Sequence, residues 1–145
     1  IAIHLVGFAR PLNYETIVID PREAYARIDR FPVAPDRLIC AWPKQALESF
    51  RIGPEDRVAA MTHDPKIDDE ALALFLTENS GYIGALGSRK SHAARLRRLA
   101  KLGFGEEVLA RIRGPIGLDI GSETPAEIAL SVMAEIVKTQ HRGTG

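Results

Sequence analysis

Gly114-Pro115-Ile116-Gly117-Leu118-Asp119-Ile120-Gly121-Ser122-Glu123-Thr124-Pro125-Ala126-Glu127 is a glycine-rich loop that runs directly into a helix. Gly114, Gly117 and Gly121 let backbone amides face outward without β-carbons in the way, and the helix start behind them adds its own unpaired N–H groups. Such a loop can hold an anion. Thr124 reads as the N-cap, Pro125 as the first helical residue and Glu127 as the reciprocal member of a capping box, so the helix boundary is well signalled. The plainer reading is a tight turn between a short strand and a buried helix. Asp119, inside the glycine run, is more than such a turn requires.

At 145 residues the chain is read as one domain, residues 1–140, with a flexible tail at 141–145. Hydrophobic residues make up 46% and aromatics only 6%, so aliphatic side chains must supply the core. Nineteen basic residues balance nineteen acidic ones, which argues against a general nucleic-acid or membrane-surface binder. One cysteine, Cys40, excludes an internal disulfide and fits a reducing cytoplasm. No apolar run reaches the roughly 18 residues of a membrane span, and no signal peptide is visible.

Helix and strand patterns alternate along the chain. Residues 1–12 read as a helix closed by Pro11, and residues 15–20 as a β-branched strand. Further strands are expected at 38–41, 57–62 and 82–86, with a short one at 116–119. Helices are expected at 44–50, 68–79, from Ser88 to Gly103, and at 106–113, and a last one from Thr124 to about Lys138. These patterns predict an α/β fold with a Rossmann-like doubly wound parallel sheet. In such a fold an acidic residue ends the second strand about 20 residues after a Gly-rich phosphate turn. Counting back from Asp20 places that turn before Ile1, so the chain is expected to lack the first strand and the turn. Asp20 is then placed for a ribose-like diol and Arg22 for a phosphate. The competing reading of Asp20 is a solvated or capping carboxylate at a strand end.

Thr62-His63-Asp64 follows a strand, and ligands in open parallel sheets gather beyond the carboxyl ends of strands. His63 can donate, accept or ligate, and Asp64 can fix its tautomer; a polar turn is the alternative. Gly87-Ser88-Arg89-Lys90-Ser91 forms a second glycine-plus-hydroxyl nest with Ser88 as N-cap. On the helix that follows, Ala93, Leu96, Leu99 and Ala100 form the expected buried stripe, with Arg89 in line with it, while Lys90, Arg97, Arg98 and Lys101 make a solvated face. Asp68-Asp69-Glu70 reads as a helix-capping cluster rather than a metal site, and Cys40 as a small core residue rather than a reactive thiol. No metal-ligand spacing and no nucleophile–base pair appears. His63, Ser88, Arg89 and Asp119 are expected to converge on one cleft. The last helix carries a polar stripe at Glu127, Ser131, Glu135 and Lys138.

Asp20-Pro21-Arg22, Thr62-His63-Asp64, Tyr82-Ile83-Gly84-Ala85-Leu86-Gly87-Ser88-Arg89-Lys90, Pro115-Ile116-Gly117-Leu118-Asp119-Ile120-Gly121, Thr124-Pro125-Ala126-Glu127-Ile128-Ala129 and Ala134-Glu135-Ile136 together resemble the XdhC/CoxI family, in its C-terminal Rossmann-type domain. The resemblance implies a maturation factor that binds the molybdenum cofactor (molybdopterin), guards it during sulfuration and hands it to an apo molybdenum hydroxylase such as xanthine dehydrogenase. It also brings in a sulfurating enzyme as a partner. The implied cofactor-binding residues are Asp20, Arg22, His63, Asp64, Gly87, Ser88, Arg89, Gly117, Asp119 and Gly121. Two other readings stay open: an NAD(P)-dependent oxidoreductase with Asp20 on the ribose and His63 as proton donor, and a binding module that docks a partner through its basic helix. A sheet lacking a strand would expose backbone hydrogen-bonding groups, which makes a homodimer a further expectation.

Overall fold

The computed structural model describes residues 1–78 and 80–142; Asn79, the expected end of one helix, and residues 143–145 of the expected tail lie outside the described residues. In chain order the elements are α1 (Ala2–Ala9), β1 (Ile17–Ile19), β2 (Arg37–Ile39), α2 (Pro43–Ala46), β3 (Arg57–Ala60), α3 (Pro65–Thr77), β4 (Tyr82–Ala85), α4 (Arg89–Lys101), α5 (Glu106–Leu109), β5 (Ile112–Arg113) and α6 (Pro125–Arg142). Every strand pairing is parallel: β1 with β2, β3 with β4, and β4 with β5. The result is an α/β arrangement of two parallel sheets, consistent with a Rossmann-like domain. The chain divides into two compact units, residues 1–49 with 117–145, and residues 50–116.

In the first unit α1 packs on α6. Val6 and Ala9 of α1 and Ala129, Val132, Met133 and Ile136 of α6 are buried, an aliphatic core of the kind the composition demands. The capping box forms as expected: the Glu127 amide donates to Thr124 Oγ1 at 3.1 Å, and the amides of Thr124 and Glu123 donate to Glu127 Oε1 at 2.9 and 3.0 Å. The polar stripe of α6 does not all face solvent. Ser131 is 3% and Glu135 8% exposed, because both serve the loop before the helix. The Gly117 amide donates to Glu135 Oε1, and the Leu118 amide to the Ser131 carbonyl at 3.1 Å. The helix also runs on to Arg142, beyond the expected end near Lys138.

In the second unit β4 is buried at all four positions, as a parallel strand flanked on both sides must be. A Cβ on Gly84 would lie 2.6 Å from Ile116 Cγ1, so only glycine lets that side chain seat on the strand. The strand expected at 116–119 is absent. Its place beside β4 is taken by β5, in a stretch whose sequence pattern suggests the end of a helix. The amides of Gly117 and Leu118 are committed to α6, whereas Ile112 is buried and in register with Ile83. Helix α3 opens at Pro65 rather than at Asp68, since Asp64 accepts the Lys66 amide at 3.0 Å and an Asp-Pro pair is a ready N-cap and first residue.

Candidate functional site

The carboxyl ends of β3 and β4 and the starts of α3 and α4 frame a cleft of about 140 Å³ in the second unit, lined among others by His63, Asp68, Gly87, Ser91, Arg95 and Arg98. Beyond β3, Thr62 organises the loop. Its hydroxyl donates to Asp68 Oδ1 at 2.7 Å, its amide reaches the same oxygen at 3.2 Å, and the Asp64 amide donates to the Thr62 hydroxyl at 3.1 Å. Asp68 is only 2% exposed, so it is a buried anchor for the loop and not a solvated helix-capping acid. His63 takes a left-handed conformation, φ +67°, which side chains other than glycine adopt rarely and which turns it outward as an exposed residue. The expected Asp64–His63 pairing is not formed, because the Asp64 carboxylate is occupied as the cap of α3.

Beyond β4, the Leu86 amide continues the ladder to the Ala60 carbonyl at 2.9 Å before the chain turns at Gly87, φ +140°. A Cβ on Gly87 would meet Ser91 Oγ, which could rotate away, so it is the positive φ that makes this a glycine position. Ser88 is the N-cap of α4, accepting the Ser91 amide at 3.1 Å, as expected. Arg89 is exposed and does not line the cleft. The inward cation is Arg95, 6% exposed, whose Nη2 donates to the Leu86 carbonyl at 2.8 Å and whose Nη1 lies 3.5 Å from His92 Nδ1. Arg95 Nε is buried without a partner.

Ala93 and Ala100 are exposed, so the expected buried stripe of α4 is rotated. A helical wheel that scores arginine as polar misses this, although Arg95 stands four residues before the fully buried Leu99 and a long aliphatic stem can bury itself. Burial lowers the Arg95 pKa and the charges of Asp68 and Asp69 raise it; the guanidinium remains a cation. Burial first, and Arg95 second, push the His92 imidazole below its ordinary value and favour the neutral ring. Arg98, expected on the free solvated face, is paired with Asp69 through bonds of 2.6 and 3.2 Å.

The remaining expected site residues belong to the first unit. Asp20 and Arg22 hold each other: Nε and Nη2 of Arg22 reach the two carboxylate oxygens at 2.9 and 2.8 Å, and the Arg22 amide adds a bond of 3.0 Å. The guanidinium also lies 4.1 Å over the Tyr25 ring. Neither is the free diol or phosphate contact that the sequence suggested. The glycine-rich loop likewise meets anions of its own, since the Gly117, Glu123 and Thr124 amides are taken by the carboxylates of Glu135 and Glu127. Asp119 and Gly121 are exposed. Cys40, expected in the core, is exposed, with Sγ 3.7 Å from the Pro21 carbonyl. Among the described residues no group of three or more histidine, cysteine or acidic side chains is placed to hold a metal ion, and no helix is long and apolar enough to cross a membrane.

Comparison with known proteins adds the family. The chain is 38% identical over 140 residues to a Bacillus subtilis (strain 168) protein named as a probable xanthine dehydrogenase subunit, covering 97% of this chain and 40% of that protein. It is 32% identical over 95 residues to the molybdenum cofactor insertion chaperone PaoD of Escherichia coli (strain K12), covering 66% of this chain and 30% of PaoD. The crystal structure of a Bacillus halodurans protein described as a xanthine dehydrogenase superposes with a TM-score of 0.81 at 34% identity, over 97% of this chain and 39% of that one. The chain thus spans less than half the length of each of these proteins. The family model of the XdhC Rossmann domain matches residues 1–136, and with the parallel sheets and the strand-end cleft in place, the chain belongs to the XdhC Rossmann domain family.

Proposed function

We propose that this chain is the cofactor-handling domain of a maturation factor for xanthine dehydrogenase-type molybdenum hydroxylases: it binds the molybdenum cofactor and passes it to the apoenzyme. The observation that carries the reading is the XdhC match over residues 1–136, joined by similarity to a protein named as a molybdenum cofactor insertion chaperone. On this reading the partners are the apo molybdenum hydroxylase, a sulfurating enzyme and a second copy of the chain.

The residues fit the organic end of such a cofactor. Arg95 Nε is a buried donor without a partner, Gly87 lines the cleft at a φ of +140°, and α4 with its unpaired first amides starts two residues after it. This donor set suits the oxygens of a phosphate or pyrophosphate and offers hard cations little. Arg95, Ser91 and the Gly87–Arg89 backbone would hold the phosphate of the pterin, and His63, exposed at the rim, would meet the rest of it. When bound, the pterin supplies the molybdenum centre that the client enzyme uses. The chain itself needs only to bind, orient and shield it, and no acid–base pair is required. Of the residues the sequence singled out, Gly87 and His63 line this cleft, while Asp64 and Ser88 build it by capping α3 and α4. Asp20, Arg22, Gly117, Asp119 and Gly121 belong to the other unit and enter the proposal as a second set of candidate contacts.

The test is transfer. Apo-xanthine dehydrogenase is mixed anaerobically with cofactor in the presence and absence of the chain, and the return of xanthine oxidation is followed. Faster or fuller recovery with the chain supports the reading. Equal recovery in both mixtures, or binding of NAD(P) with no effect on recovery, removes it.

A further inference from the structure

The sequence pointed to Arg89 as the cation that meets an anionic ligand, but the cleft is built around Arg95. Among the described residues Arg95 has no ion-pair partner, although it is 6% exposed. A buried guanidinium is costly; Asp68 and Asp69 offset part of that cost through their charge without pairing with it, its bonds go to the Leu86 carbonyl and, at 3.5 Å, to His92 Nδ1, and Nε is left without a partner. Asp68 also lines the cleft, and its Oδ1 is engaged by the Thr62 amide and hydroxyl. Arg98 is satisfied by Asp69. The starts of two thirteen-residue helices, α3 and α4, open onto the same space; the first amides of α3 are taken by Asp64, so the free N–H groups come from α4, while both helices present the positive end of a dipole. At about 140 Å³ the cleft is well below the roughly 300 Å³ at which pockets for whole drug-sized ligands begin, so it holds one group of a ligand rather than the ligand.

We propose that this cleft is an oxyanion site for a single phosphoryl group, with Arg95 as its charge and the Gly87–Lys90 backbone amides as its remaining donors. The inference rests on the cofactor reading for the name of the ligand and not for the existence of the site. The phosphoryl group has two possible sources, the monoester of a pterin and free phosphate.

The experiment is an NMR titration of the isotope-labelled 145-residue chain with inorganic phosphate and, in parallel, with a synthetic pterin phosphate monoester, following the Gly87–Ser91 amides and the Arg95 Nε–Hε signal. Saturable shifts of both sets are expected. Arg95→Met should weaken the binding that produces them by roughly tenfold or more, the effect of one charge-assisted hydrogen bond, while Arg97→Ala should change it less than about twofold. Tighter binding of the monoester identifies the pterin phosphate as the ligand, and equal binding identifies free phosphate; either supports the site. If wild-type chain shows no saturable shifts with either probe, the site does not exist, and this readout stands even if Arg95→Met fails to fold. Arg95→Lys, which keeps the charge and loses the planar fork, should retain part of the affinity; full affinity in both Arg95 variants would overturn the assignment. Retention of molybdenum cofactor by a folded Arg95 variant at wild-type strength would remove the pterin phosphate as this site's ligand and leave the cofactor reading standing. Phosphate shifts without any cofactor binding would do the reverse.

Discussion

The Glu135 carboxylate, 8% exposed on α6, accepts the backbone amide of Gly117 at 3.1 Å and so fixes the glycine-rich loop from below. A hydrogen bond to a charged group contributes about 1.5–3 kcal/mol, and an amide left buried without its partner loses a similar amount. Glu135→Ala should therefore destabilise the chain by about 2 kcal/mol, and Glu135→Gln, which keeps an acceptor oxygen, by about 1 kcal/mol. Urea unfolding measures both. Equal losses would mean that the carboxylate acts through packing and not through this bond.

Gly117 and Gly121 both have positive φ, +98° and +77°, but their surroundings differ. A Cβ on Gly117 would overlap Ser131 Oγ and lie 3.2 Å from the Ser131 carbonyl carbon, whereas one on Gly121 would meet open space. Gly121→Ala should cost only the conformational strain, about 1 kcal/mol, and Gly117→Ala about 1–3 kcal/mol more for the overlap. Unfolding midpoints of the two variants decide it, and similar losses would contradict the steric account.

The Glu127 carboxyl is held below the ordinary carboxylate range, first by the Thr124 amide and then by the Glu123 amide. Its folded value is lower than its unfolded value, so the stabilisation is present above the unfolded range and is lost as pH falls through the lowered folded value. Glu127→Gln should flatten that part of the acid limb of stability, below about pH 4.5. Unfolding curves across pH 3 to 6, roughly the carboxylate range, measure it. An unchanged acid limb in the variant would show that the capping carboxylate is not coupled to folding.

Asp68 is 2% exposed and holds both polar groups of Thr62. Asp68→Ala leaves the Thr62 amide and hydroxyl without their acceptor and should cost about 2–4 kcal/mol, while Asp68→Asn keeps one acceptor oxygen and should cost about half as much. Hydrogen exchange should show the loss concentrated in Thr62–Lys66. A uniform loss of protection with no local component would contradict the anchoring role.

The sequence carried the alternation of parallel strands and helices and the starts of α4 and α6, because caps and β-branched runs are local signals. Ser88 and Thr124 were legible for that reason. What it did not carry was which polar groups satisfy one another across the chain. The loop at Gly117 looks like an anion nest from its glycines, yet its carboxylates come from Glu127 and Glu135, and Glu135 lies 18 residues further on. Asp20 and Arg22 looked available for a ligand and are paired instead. Arg89 and Arg95 stand on one helix, less than two turns apart. Only the packing of α4 on α3 and the bond from Arg95 to the Leu86 carbonyl show that the second of them faces inward, because hydropathy treats a buried arginine stem and a solvated one alike.

The most direct test of the central claim is retention of the cofactor by the chain itself. Molybdenum cofactor released anaerobically from a denatured molybdoenzyme is mixed with the purified 145-residue chain and passed through gel filtration, with molybdenum and pterin fluorescence measured in each fraction. The account predicts stoichiometric molybdenum and pterin co-eluting with the chain. Molybdenum and pterin confined to the small-molecule fractions, with the chain folded, would contradict it.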